Sequence, residues 1–120
     1  SLPTAISEIA PEDADRCIEA AFGGKTPDGV KLFVGSTFSD LIVHEMGHVQ
    51  HFASAASNVI GGDSKVKSGK EWREISKYAK KNQYEFVAEA FTHLYKGGTL
   101  SDKARSLYDQ LGGPKIRGGK

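Results

Sequence analysis

His44 and His48 stand four residues apart, with Glu45 directly after the first, in the run His44-Glu45-Met46-Gly47-His48. On an α-helix, positions i and i+4 lie one above the other on the same face. The two imidazoles can therefore share one metal ion, and in an HExxH helix that ion is Zn²⁺. Glu45 projects beside them, placed to take a proton from a water that the ion acidifies. The chemistry this trio supports is hydrolysis of a peptide bond by a metal-activated water, with Glu45 as general base.

A catalytic zinc site takes a third protein ligand and keeps the fourth position for water. Glu85 and Glu89 lie one turn apart on a helical pattern. One can coordinate the ion while the other hydrogen-bonds a ligand histidine and fixes its tautomer. Glu85 also sits three residues after Asn82, where a capping box would use it. Asp102, in Gly98-Thr99-Leu100-Ser101-Asp102, fits a competing GTxxD ligand pattern, although a Ser-Asp helix start explains it without metal. His51 follows His48 by three and belongs near the site as a supporting or surface residue, while His93 falls a turn too far along. The metzincin pattern needs Gly at 51 and His at 54; the chain has His51 and Ser54, which excludes that subclass. Tyr78 offers a phenol that can donate to a developing oxyanion.

These residues need elements to hold them. Pro11-Glu12-Asp13 predicts a helix start, running to about 22 and burying Ala14, Cys17, Ile18 and Ala21. Residues 30–34 (VKLFV) read as a strand, either a plain core strand or one at a cleft rim that pairs with extended substrate. The histidine helix is expected over 39–56, capped by Ser39 and packed through Leu41, Ile42, Val49 and Phe52. Residues 58–70 read as a mobile loop. A short helix over 71–78 buries Trp72 and Ile75. Asn82 caps a helix over 83–95, with Phe86, Val87, Ala90, Phe91 and Leu94 inward. Ser101 caps the last helix, with Ala104, Leu107, Tyr108 and Leu111 inward, and 112–120 reads as a frayed basic tail. The fold class expected is α+β: the histidine helix on a small sheet that includes 30–34, then a mainly helical C-terminal half, all one domain.

The chain has 120 residues, 38% hydrophobic and 26% charged, which fits a single core. Cys17 is the only cysteine, so no internal disulfide forms, and it reads as a small core residue. No apolar run is long enough to cross a membrane, and no signal-peptide pattern opens the chain. The net charge of +1 is uneven, with 3 Lys and Arg against 8 Asp and Glu in residues 1–60 and 13 against 7 in residues 61–120. The cations are interleaved with acids, so no nucleic-acid partner is expected, and the lack of a spanning apolar run predicts no membrane partner.

Tyr78 followed by Asn82-Gln83-Tyr84-Glu85-Phe86-Val87-Ala88-Glu89-Ala90-Phe91 resembles the anthrax lethal factor-type catalytic domain, a gluzincin family with HExxH, a Tyr and an ExxAEAF helix. The resemblance covers about residues 39–96. It implies Glu85 as third zinc ligand, Glu89 as support behind a ligand histidine, and Tyr78 as oxyanion stabiliser, in a zinc endopeptidase acting on a peptide or protein. The size is similar to minigluzincins, and a larger phage or toxin protein, secreted or virion-associated, is the parent this implies. ImmA-like regulatory peptidases share the HExxH and a later Glu-bearing helix, and a zinc-stabilised structural module without turnover is the remaining alternative.

Overall fold

The computed structural model describes residues 25, 27–54 and 57–116. Four α-helices carry it: α1 (Phe38–Phe52), α2 (Gly62–Ser68), α3 (Gln83–Tyr95) and α4 (Asp102–Gln110). Two 3₁₀ turns, Glu71–Glu74 and Tyr78–Lys80, join α2 to α3. The expected helix over 11–22 and Cys17 lie outside the described residues. No described helix is long and apolar enough to cross a membrane.

α3 is the centre. Asn82 caps it by accepting from the Glu85 N–H at 2.9 Å. Its apolar residues Phe86, Val87, Ala90, Phe91 and Leu94 are all buried, as their spacing predicts. Around them pack Trp72, Ile75 and Ala79 from the turns, Val66 from α2, and Leu107, Tyr108 and Leu111 from the α4 end. Ser101 caps α4 by accepting from the Ala104 N–H at 3.2 Å, also as predicted.

The expected sheet is absent from the described residues. Among the described residues there is no strand, only an isolated bridge between Lys25 and Lys31. The α+β expectation is therefore wrong, and the protein as described is helical. The reason lies in where the backbone bonds of residues 30–36 go. The Lys77 and Tyr78 N–H groups donate to the Lys31 and Leu32 carbonyls at 2.7 and 3.0 Å. The Val34 N–H donates to a side chain, Glu89 Oε1, at 2.9 Å. An arm satisfied in this way, with bends at Leu32 and Val34, needs no neighbouring strand. Val30 and Val34 still bury their side chains in the core.

α1 also departs from expectation. Its N-cap is Thr37, not Ser39, and Thr37 forms a capping box with Asp40. It ends at Phe52. Ile42, Val49 and Phe52 are 47%, 70% and 57% exposed, so they are not core residues here. The buried face carries Asp40, Gly47 and His51 instead. Gly47 sets the crossing with α3: a Cβ there would stand 3.0 Å from Phe91 Cδ2 and 3.3 Å from Ala88 Cα. A side chain there would crowd the crossing, and Phe91 and the Ala88 backbone would have to give by a few tenths of an ångström.

Two other readings change. The 58–70 loop contains α2, whose Val66 is 1% exposed. The C-terminal stretch starts docked rather than frayed. His51 donates from Nε2 to the Leu111 carbonyl at 2.7 Å, Tyr108 donates to the Pro114 carbonyl, and Ile116 packs on the core. Residues 117–120 lie outside the description.

Asp40 ties the start of α1 to the end of α3. Its Oδ2 accepts from Lys96 Nζ at 2.9 Å and from the Ser36 N–H at 3.0 Å. A Cβ at Gly35 would overlap Asp40, so the arm and this carboxylate fit only with glycine there. Burial works against the Asp40 charge, but the hydrogen bonds from Lys96, Ser36 and Thr37 win and hold its pKa below the ordinary 3.8. A carboxyl with a lowered folded pKa stabilises above its unfolded value and loses that contribution as pH falls. Asp40→Asn is expected to cost about 1–2 kcal/mol at pH 7. Urea unfolding of both proteins should show the gap narrowing below pH 3.8.

Candidate metal centre

α1 presents His44 and His48 towards the N-terminal turns of α3, where Glu85 and Glu89 stand on one face. His48 Nε2 lies 2.8 Å from Glu85 Oε1, and His44 Nε2 lies 3.0 Å from the same oxygen. The two Nε2 atoms are 3.1 Å apart. Glu85 thus uses its backbone for the Asn82 cap and its carboxylate for the histidines. These three residues form the one group among the described residues whose donor atoms could hold a metal ion.

His44 Nδ1 lies 2.9 Å from Glu89 Oε2. The Glu89 carboxylate is buried, so an N–H at Nδ1 is the group that satisfies it. A neutral His44 then turns the lone pair of Nε2 towards Glu85, an arrangement that a cation must occupy. The donors are two imidazole nitrogens and one carboxylate oxygen, the set that suits zinc. Tetrahedral bonds of about 2.0–2.1 Å separate neighbouring donors by roughly 3.3 Å, close to the triangle seen here. The residues fit the ion.

Without metal, a proton takes that place. Burial lowers the affinity of His44 for it, but hydrogen bonds and charge from Glu85 and Glu89 prevail, pushing its pKa from 6.5 up to about 9. Burial likewise opposes the Glu85 charge, yet the imidazoles hold its carboxyl far below the ordinary carboxylate range.

Glu89 is 2% exposed, and its other oxygen is also engaged. Oε1 accepts from Ser76 Oγ at 2.5 Å and from the Val34 N–H at 2.9 Å. Ser76 is fully buried and in turn accepts from the Ala79 N–H at 3.2 Å. Neither Ser76 nor the Val34 amide stood out in the sequence, since a serine in a lysine-rich turn and a backbone group carry no pattern. His48 is placed differently. Its Nδ1 is buried without a hydrogen-bond partner among the described residues, and its ring stacks on Phe52 at 5.7 Å and 10°.

Tyr78 closes the other side. Its hydroxyl donates to Glu85 Oε2 at 3.2 Å, and its ring lies 6.1 Å from that of His44 and 4.7 Å from that of Phe33. Burial and the charges of Glu85, Glu89 and Glu45 push its pKa up to about 12, so it remains a protonated donor. Glu45 is exposed, and its charge is among those felt at Tyr78.

The other candidates lie elsewhere. His51 is fully buried and serves the Leu111 carbonyl, with its pKa lowered by burial, so it is not a surface group; its ring stacks on Phe52, which also stacks on His48. His93 accompanies the Thr99 carbonyl at 2.8 Å. Asp102 is exposed on α4, in an open groove with Lys65 and Lys103, and is not in the metal-competent group. Comparison of the chain with protein-family models, curated proteins and solved structures finds no match.

Ser76→Ala removes one of the two donors to Glu89 Oε1, and Glu89→Gln removes the carboxylate behind His44. Losses of support of this kind weaken metal binding by about 10–100-fold. Zinc titration against a competing chelator should show Ser76→Ala near the lower end and Glu89→Gln near the upper. A second expectation concerns pH. A histidine with a raised folded pKa stabilises below its unfolded value of 6.5 and loses that contribution as pH rises through about 9. The metal-free protein should therefore lose stability across this window, by about 3 kcal/mol at most. Zinc-loaded protein should not follow that decline, which thermal unfolding at stepped pH will read.

Proposed function

We propose that this chain is a zinc-dependent endopeptidase of gluzincin type. The observation that carries the reading is the convergence of His44 Nε2, His48 Nε2 and Glu85 Oε1 from two crossing helices, 2.8 to 3.1 Å from one another. The helix that gives both histidines also presents the exposed Glu45. A bound Zn²⁺ would supply Lewis acidity, acidifying water and polarising the scissile carbonyl.

The residues of the chain do the remainder. Glu45 accepts the proton of the attacking water and passes it to the leaving amine. Tyr78, kept as a phenol, donates to the carbonyl oxygen as negative charge builds there. Glu89, held by Ser76 and Val34, keeps the His44 lone pair aimed at the ion. Three protein donors leave a position open, whereas a purely structural zinc is closed by four, which favours turnover over a stabilising role. The partner is a peptide or protein substrate, and the lethal factor-like resemblance points the same way.

Glu45→Gln is expected to bind zinc like the wild type and to lower peptide cleavage by at least about 10²–10⁴-fold. Zinc content and peptide-library cleavage, measured together on both proteins, check this. Equal cleavage at equal zinc would remove Glu45 from the role.

A further inference from the structure

The turn that delivers Tyr78 to the metal centre carries three lysines within five residues, Lys77, Lys80 and Lys81. Lys81 Nζ lies 5.2 Å from the centre of the Tyr78 ring, whose hydroxyl reaches Glu85. Lys77 and Lys80 place their Nζ atoms 5.1 and 4.9 Å from the centre of the Trp72 ring. Aromatic faces hold an ammonium in position without neutralising it.

The nearby acids are committed elsewhere. Asp28 pairs with Arg73 at 2.5 Å. Glu74 accepts from the Ser101 N–H and hydroxyl at 2.7 and 2.6 Å. Among the described residues no carboxylate pairs with Lys77, Lys80 or Lys81, and Lys77 and Lys81 are exposed. The turn that carries Tyr78 thus bears three ammoniums, Lys81 directly on the Tyr78 ring and Lys77 and Lys80 beside it on Trp72.

We infer that Lys77, Lys80 and Lys81 select the substrate: a peptide with acidic side chains flanking the scissile bond on the Tyr78 side. This deepens the peptidase reading and rests on it. A neutral peptide gains nothing from these charges, whereas each carboxylate gains attraction that salt screens. Three ammoniums on one short turn match a short acidic run in a peptide; a nucleic acid would need a longer basic track.

The test compares zinc-loaded wild type, the triple variant Lys77→Gln/Lys80→Gln/Lys81→Gln, the charge-keeping triple Lys→Arg variant, and the remote control Lys67→Gln/Lys103→Gln. Substrates are paired fluorogenic peptides identical except for Asp and Glu against Asn and Gln beside the cleaved bond. Wild type should favour the acidic peptide by about tenfold in kcat/KM, through KM, at low salt, and lose the preference near about 0.5 M salt. The Gln triple should lose it, while the Arg triple and the control keep it. Equal rates on both peptides, or a preference surviving in the Gln triple, would overturn the inference and leave the peptidase reading standing. The same peptides, labelled for fluorescence anisotropy, are bound to Glu45→Gln with and without the lysines. Lysine-dependent binding of the acidic peptide without any cleavage by wild type would uphold the role of the lysines and retire the peptidase reading. No binding preference would retire that role whatever the rates.

Discussion

A carboxylate at 2% exposure cannot be left to itself, and Glu89 governs much of this structure for that reason. Its oxygens require donors that water cannot provide, and three parts of the chain supply them. The 30–36 arm gives the Val34 amide, the turn before Tyr78 gives the Ser76 hydroxyl, and α1 gives His44. Remove the charge from the centre and each of these segments loses its reason to lie where it does. Glu85, one turn earlier, repeats the arrangement nearer the surface, with two imidazoles and a phenol around one carboxylate.

The packing is arranged to let those polar groups meet. α3 is apolar over most of its surface because it runs through the core, and its two glutamates are directed at α1. α1 gives up bulk on that side, with glycine at the crossing and a fully buried histidine anchoring the C-terminal end of α4. At the opposite ends of the two helices, the Asp40–Lys96 pair at 2.9 Å fixes their relative placement. The glutamate–imidazole contacts, the Asp40–Lys96 pair and the close approach at Gly47 therefore set the crossing on which the candidate metal centre depends.

Residues with strong local signals were legible in the sequence. The HExxH spacing, the Asn82 and Ser101 caps and the apolar periodicity of α3 and α4 gave the helices and brought His44, His48 and Glu85 together as expected. The errors fall where local pattern is ambiguous. Val30 to Val34 has strand composition, but its backbone partners are a turn and a carboxylate distant in sequence, which no β-propensity encodes. Residues 38–52 are apolar on two sides, and the choice of inner face was made by Gly47 and Asp40 rather than by hydrophobicity. Ser76 carries no pattern at all; only the buried oxygen of Glu89 gives it meaning.

Val34 spends its amide hydrogen on the carboxylate behind His44, where a sheet protein would spend it on a neighbouring strand. Seating of the arm and occupation of the centre are then reciprocal equilibria. An ion that tightens His44 against Glu89 draws the arm in by the same free energy with which a seated arm favours the ion. Opening of this arm would by the same linkage loosen the hold of His44, His48 and Glu85 on any ion they take.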